Sequence, residues 1–103
     1  MIRVLNAIHQ HPESKWTLIS LAEKANLSRA AFAKKFKALT GAAPLHYLAR
    51  IRMERAACDL RSGQKSIAQI ASEAGYESDA SFNKAFCKIM GDTPGHYRRI
   101  VSE

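Results

Sequence analysis

The sequence predicts an all-α protein of about seven helices, in which one helical unit is built twice with a long helix between the copies. Three observations carry that expectation. Strand signals are almost absent, because Val and Thr are sparse, Ala is abundant and period-two alternation never persists. Helical signals recur in short blocks bounded by capping residues. The stretch "LSRAAFAKKFKALTG" (27–41) returns as "SDASFNKAFCKIMG" (78–91), with Ser78, Phe82, Lys84, Phe86 and Gly91 in the same frame.

Each element follows in order. Ile2, Leu5 and Ile8, with Val4, give an amphipathic opening helix that ends near His11-Pro12. Thr17 reads as the next N-cap, with Trp16 and Leu21 placed as a hydrophobic staple. Leu18, Leu21, Ala22 and Ala25 form that helix's inward stripe. Asn26 tolerates the left-handed conformation that stops it. Ser28 caps the following helix, Leu27 and Phe32 form a second staple, and Phe32, Phe36 and Leu39 share one face. Gly41 ends it. Pro44 suits a first helical turn, and Leu48, Ile51, Ala56 and Leu60 mark a connecting helix to about Ser62-Gly63, roughly 27 Å long.

The second half repeats the plan. Ser66 caps with Gln69 as capping-box partner, and Ile67, Ile70, Ala71 and Ala74 renew the inward stripe. Gly75 stands where Asn26 stood, and Ser78 caps a helix whose Phe82, Phe86 and Ile89 face in. Gly91 stops it, and Thr93-Pro94 opens a last short helix through Tyr97. Pro44, His46 and Tyr47 match Pro94, His96 and Tyr97. The offset is 49 before the inter-helix turn and 50 after it, so the second turn holds one extra residue.

A short helix, a tight turn at an αL-tolerant residue and a second helix with one polar face describe a helix-turn-helix. The expected organisation is therefore a first unit with its leading helix (1–43), a connecting helix (44–63) and a second unit (64–103), all within one domain, 1–103. With the phenylalanines buried, Arg29, Ala30, Ala33, Lys34 and Lys37 point outward. In the second unit the same face carries Asp79, Ala80, Asn83 and Lys84, with Ser81 and Cys87 near its edges. Such a helix fits the major groove of B-DNA, about 12 Å wide, and small residues let it sit deep. A ~27 Å spacer suits two recognition helices about one DNA turn, 34–36 Å, apart.

Composition agrees. The chain of 103 residues is 47% hydrophobic, ample for a globular fold, and its formal charge of +7 with a pI of about 9.8 favours an anionic partner. The charge is uneven: residues 1–55 carry ten Lys/Arg against three Glu, whereas 56–103 carry six basic and six acidic side chains. The first unit is thus expected to anchor on phosphates, and the second to add selectivity through Asn83, Lys84 and Asp79.

Cys58 and Cys87 lack metal or redox spacing, which fits a reduced, cytoplasmic setting. Cys58 is expected to pack as a small apolar residue and Cys87 to be the more exposed. No apolar run approaches the ~18 residues of a membrane span, and "MIRVLNAIHQH" is too interrupted for a signal peptide. Trp16 reads as a core staple, Tyr47 and Tyr97 as core aromatics with a hydroxyl reaching the backbone, and His9-x-His11 as a weak metal signal. No catalytic constellation or Gly-rich phosphate loop stands out, so neither an enzyme nor a cofactor is expected.

The segment "RMERAACDLRSGQKSIAQIASEAGYESDASFNKAFCKIMGDTPGHYR" (52–98) resembles the DNA-binding domain of AraC/XylS-family transcriptional regulators. Its R-M/L…A…L, I…IA…GY/F, SxF…F and G…P…YR spacings all match, and "LAEKANLSRAAFAKKFKALTGAAPLHYLARIRMERA" extends the likeness over nearly the whole chain. The resemblance implies two helix-turn-helix units joined by one long helix, entering successive major-groove segments on one face of double-stranded DNA. Base-reading positions would fall on Ala30, Ala33 and Lys34, with Arg29 nearby, and on Ala80, Asn83 and Lys84, with Asp79 and Ser81 nearby. It also implies a further N-terminal effector-binding domain, an activator role with RNA polymerase as a possible partner, and a bacterial, nucleoid-associated protein. Ala43 replaces a common Ser/Thr cap, and Cys87 stands where a basic residue is common. The alternative from another class is a helical protein-interaction module; a third is an adaptor severed from an enzyme.

Overall fold

The structure, a computed structural model, describes residues 1–101. Ser102 and Glu103, the end of the expected second unit and part of its charge count, lie outside the described residues. The helices are α1 (Ile2–Gln10), α2 (Leu18–Lys24), α3 (Arg29–Thr40), α4 (Pro44–Ser62), α5 (Ile67–Glu73), α6 (Asp79–Met90) and α7 (Pro94–Val101), and no strand occurs among the described residues.

Two compact units result, with their boundary inside α4, between Ala49 and Arg50. That boundary shows the duplication to be longer than the helix-turn-helix. The start of α4 is the counterpart of α7, and the rest of α4 is the counterpart of α1. At the offset of 49, Ile2, Arg3 and Ala7 meet Ile51, Arg52 and Ala56. Buried Val4 and Ile8 correspond to buried Met53 and Ala57. Each unit therefore has four helical segments.

The core of each unit is an aromatic ladder. In unit 1, Phe32 and Phe36 are fully buried, with ring centroids 5.6 Å apart, and Phe36 meets Tyr47 edge-on at 5.3 Å. In unit 2, Tyr76, Phe82, Phe86 and Tyr97 follow one another at 5.7, 5.7 and 5.6 Å. An i, i+4 pair lies on one helical face, so these rings fix which side of α3 and α6 turns inward. Each buried Phe contributes on the order of 1.5–3 kcal/mol.

Ends are set locally. Thr17 and Ser20 form a reciprocal capping box, and Ser28, Ser66 and Ser78 each accept a backbone N–H three residues on. Asn26 (φ 56°) and Gly75 (φ 92°) take the left-handed conformation. Both turns are Schellman motifs: Leu27 N–H donates to Ala22 O and Asn26 N–H to Glu23 O, matched by Tyr76 to Ala71 and Gly75 to Ser72.

Several side chains depart from expectation. Ile2 (74% exposed) and Leu39 (62%) lie outside the core, whose α1 face is filled by Val4 and Ile8; Ile89, the counterpart of Leu39, packs against the core of unit 2. Cys58 is exposed, with Arg61 Nη2 at 3.1 Å from its sulfur, whereas Cys87 is half-buried, the reverse of the expected order. Trp16 is half-buried and acts as a donor, its indole N–H bonding His11 O at 2.8 Å. The Tyr47 hydroxyl meets His9 Nε2 at 2.7 Å rather than the backbone. Ala43 leaves α4 without a hydroxyl cap, and Thr40 instead binds Phe36 O and the Ala42 backbone.

Two outcomes follow. Phe36→Ala removes the central rung of unit 1 and should cost about 3–5 kcal/mol in denaturant unfolding; a loss below about 1 kcal/mol would refute that role. In the α6–α7 turn, Asp92 accepts from Thr93 N–H and pairs with His96 Nδ1. The His96 bond, foremost, holds the Asp92 carboxyl below its ordinary 3.8. A depressed carboxyl pKa stabilises above the unfolded value and loses that effect as pH falls through the folded one. Asp92→Asn should therefore lower Tm at neutral pH, with the difference shrinking below about pH 4; a pH-independent difference would assign the effect to the cap alone.

Candidate nucleic-acid interface

The outward faces of α3 and α6 are the candidate surface. α2 packs on α3 and α5 on α6, and α2 and α5 carry the small, buried Ala22 and Ala71 at matched positions. The Ser28 and Ser78 caps set where each second helix begins, and the buried Phe pairs set its rotation.

On α3, Arg29, Ala30, Lys34 and Lys37 are exposed and Ala33 is half-buried. On α6, Asp79, Ala80, Ser81, Asn83 and Lys84 are exposed, and Cys87 lies half-buried at the margin. All ten candidates thus fall on the two second helices, away from the Phe faces. They divide by chemistry. α3 carries Arg29, Lys34, Lys35 and Lys37 with no acid, whereas α6 carries Lys84 and Lys88 against Asp79.

The donors of these faces are uncommitted. Among the described residues, no ion pair or side-chain hydrogen bond engages Arg29, Lys34, Lys37, Asn83 or Lys84. Ser81 differs: its hydroxyl donates to Ser78 O and bonds Ser78 Oγ, both at 3.0 Å, so it belongs to the α6 cap. Sequence reasoning missed that assignment because a Ser at N3 serves equally as base reader or capping partner. Lys35, exposed on α3, also adds to the positive field; the charge run signalled it, but not its exposure.

Arg52, a candidate phosphate contact on the connecting helix, lies 5.9 Å from the Tyr76 ring centroid. Burial raises the Tyr76 phenol above its ordinary value, and the neighbouring guanidinium works against that rise. His9 and His11 bind Tyr47 and Glu13 respectively. No group of three or more His, Cys, Asp or Glu suited to a metal occurs among the described residues. Among the described residues, no helix is long and apolar enough to cross a membrane.

The comparisons match this geometry. A family described as a helix-turn-helix domain matches residues 21–100. A putative AraC-like transcription regulator of Streptomyces lividans is 42% identical over 92% of this chain and 31% of its own length. The RCS-specific HTH-type transcriptional activator RclR of Escherichia coli K12 is 38% identical over 97% of this chain and 35% of its own. The chain thus spans about a third of the length of these curated relatives.

Among solved structures, the C-terminal domain of AraT, a response regulator from Geobacillus stearothermophilus, superposes with a TM-score of 0.91. It is 37% identical, and the match covers 96% of this chain and 83% of that one. The DNA-binding domain of AdpA, a global transcriptional factor solved in complex with a target DNA, also gives 0.91, at 28% identity over 96% and 89%. With its duplicated helix-turn-helix and these likenesses over nearly its whole length, the chain belongs to the helix-turn-helix family of AraC/XylS-type DNA-binding domains.

Proposed function

We propose that this chain binds double-stranded DNA sequence-specifically, as the DNA-binding part of a bacterial transcription regulator. The observation that carries the reading is the pair of capped helices, each rotated by a buried Phe pair so that uncommitted Lys, Arg and Asn side chains face solvent. α3 and α6 enter adjacent major-groove segments. Lys and Arg contacts to phosphate supply most of the affinity, and counterion release makes it strongly salt-dependent.

The helices read differently. Ala30 and Ala33 offer no hydrogen bond, so α3 reads through thymine-methyl contact while Arg29, Lys34 and Lys37 supply donors. Asn83 suits adenine, and Asp79, although favourable at its own helix N-terminus, accepts from a cytosine amino group and repels phosphate. Affinity therefore concentrates in α3, and discrimination in α6.

The parent protein adds an N-terminal effector-binding domain, acts at the nucleoid and engages RNA polymerase as an activator. That most of each relative's length lies outside the matched segment, together with the activator title of RclR, supports this.

Selection from a random duplex pool at about 50 and 200 mM salt tests the reading. The expected result is a motif with two half-elements about 10 bp apart. Specific capture of a protein without DNA binding would instead establish the interaction-module alternative. Lys34→Ala should cost more affinity than Lys84→Ala, by about tenfold against about threefold; equal losses would remove the dominance of α3.

A further inference from the structure

The two units brace their recognition helices from opposite ends. In unit 1 the ladder runs from His9 on α1 through Tyr47 and Phe36 to Phe32, with the His9 and Tyr47 centroids 5.7 Å apart. Leu27 stands at the position of Tyr76, so no ring precedes Phe32 in the α2–α3 turn. In unit 2 the ladder starts one step earlier. The Arg52 guanidinium lies 5.9 Å from the Tyr76 ring centroid, and Tyr76 meets Phe82 edge-on at 5.7 Å. Its far end, Tyr97, lacks the histidine, since Cys58 takes the place of His9. α3 is thus braced toward its C-terminus and α6 toward its N-terminus.

The α5–α6 turn holds one residue more than the α2–α3 turn. Glu77 puts two further soft backbone torsions between the Gly75 stop and the Ser78 cap. Tyr76 N–H is fixed to Ala71 O, and its ring carries the restraint onward to Phe82 in the first turn of α6. Burial raises the Tyr76 phenol above its ordinary value, and the charge and hydrogen bond of Arg52 oppose that rise. The unit 1 counterparts are Arg3 and Leu27, and an aliphatic side chain offers a guanidinium no π face.

We infer that Arg52 is a positioning residue for base reading by α6. Stacked on Tyr76, it fixes the longer turn and, through Phe82, the placement of the first turn of α6. Recognition helices read bases with their N-terminal residues, and Asp79, Ala80 and Asn83 lie within the first five residues of α6. The inference rests on the DNA-binding reading and adds to it a residue that acts without touching DNA.

Two readouts on the 103-residue chain test it. The first is hydrogen exchange without DNA. The Ser81 and Phe82 amides bond to Ser78 Oγ and O, as those of Ala31 and Phe32 bond to Ser28. In Arg52→Gln the Ser81 and Phe82 amides should exchange about fivefold faster, while those of Ala31 and Phe32 keep their rates. The second is selection from a duplex pool. The half-element read by α6 should lose about fivefold in discrimination and the α3 half-element nothing, at an unchanged salt slope. Arg52→Lys, which keeps the charge without the planar stack, should resemble Arg52→Gln. Tyr76→Leu, which installs the unit 1 residue, should give the same loss, with no addition from Arg52→Gln.

Unchanged exchange at Ser81 and Phe82 in Arg52→Gln would overturn the inference whatever the selection yields. So would uniform weakening with a salt slope lower by about 0.9, which makes Arg52 a phosphate contact. Equal loss in both half-elements would make it a general stabiliser, and full recovery in Arg52→Lys would remove the stack; either overturns the inference. A wild-type chain that selects no motif, with the exchange effect present, would overturn the DNA reading while upholding the brace on α6. Where Tyr76→Leu fails to fold, the Arg52 variants decide.

Discussion

Everything functional in this molecule depends on the rotation of two helices about their own axes, and the i, i+4 phenylalanine pairs fix that rotation. Phe32 with Phe36, and Phe82 with Phe86, are fully buried. Turning either helix by one residue, about 100°, would bring polar neighbours into the core, Lys35 or Lys37 on α3 and Ser81 or Asn83 on α6, at a cost of several kcal/mol. The exposed face is therefore determined by what the buried face forbids. Tyr47 and Tyr97 extend each pair to the following helical segment, so the surface of α3 or α6 inherits the rigidity of its own unit's core.

The duplication keeps geometry while exchanging chemistry. The carbonyl of residue 11 accepts the Trp16 indole, whereas its counterpart, the Leu60 carbonyl, accepts from Arg98 Nε at 3.4 Å. Both groups belong to the end of a helical segment, where carbonyls lack intrahelical partners and must find donors elsewhere. Since Trp16 corresponds to Lys65, unit 2 lacks the indole, and Arg98, whose counterpart is the buried Leu48, supplies the donor from the last helix. The requirement is conserved between the copies, and the residue that meets it is not. In the same way, Asp59, Lys65 and Glu73 form an ion-pair cluster at the positions where Gln10, Trp16 and Lys24 line an open groove.

What the sequence revealed was what is decided locally. Ser28, Ser66 and Ser78 cap because a hydroxyl reaches only a few residues, and Asn26 and Gly75 stop helices because φ > 0 is a property of the single residue. The outward direction of Arg29, Lys34, Asn83 and Lys84 followed from helical period once the Phe faces were assigned. What it concealed needed partners distant in the chain. Whether Leu39 or Ile2 is covered depends on where neighbouring helices end. The Tyr47 hydroxyl finds His9 across 38 residues, and periodicity could not rank Cys58 against Cys87, because both lie at the edge of an apolar stripe.

The charge asymmetry also changes meaning once the units are known. Divided after Arg55, the sequence places its whole positive excess in the first half. Divided at the structural boundary, unit 1 carries seven Lys/Arg against two acids, and residues 50–103 carry nine against seven. The difference is Arg50, Arg52 and Arg55, with Glu54, all on α4. Arg52 lies over the Tyr76 ring and is employed beside the α5–α6 turn, so it is poorly placed to be counted as a phosphate contact. The contrast that bears on DNA is therefore narrower than the halves suggest and sits in the recognition helices themselves, four cations and no acid on α3 against two cations and one acid on α6. Because each phosphate contact contributes about 0.9 to the salt slope on duplex DNA, α3, rich in uncommitted cations, is the helix we propose to govern affinity. In the proposed reading, α6, with Asp79 and Asn83, has its energy in base edges, where a wrong pair leaves a group unsatisfied. The two copies are alike in backbone and unlike in what an error costs them.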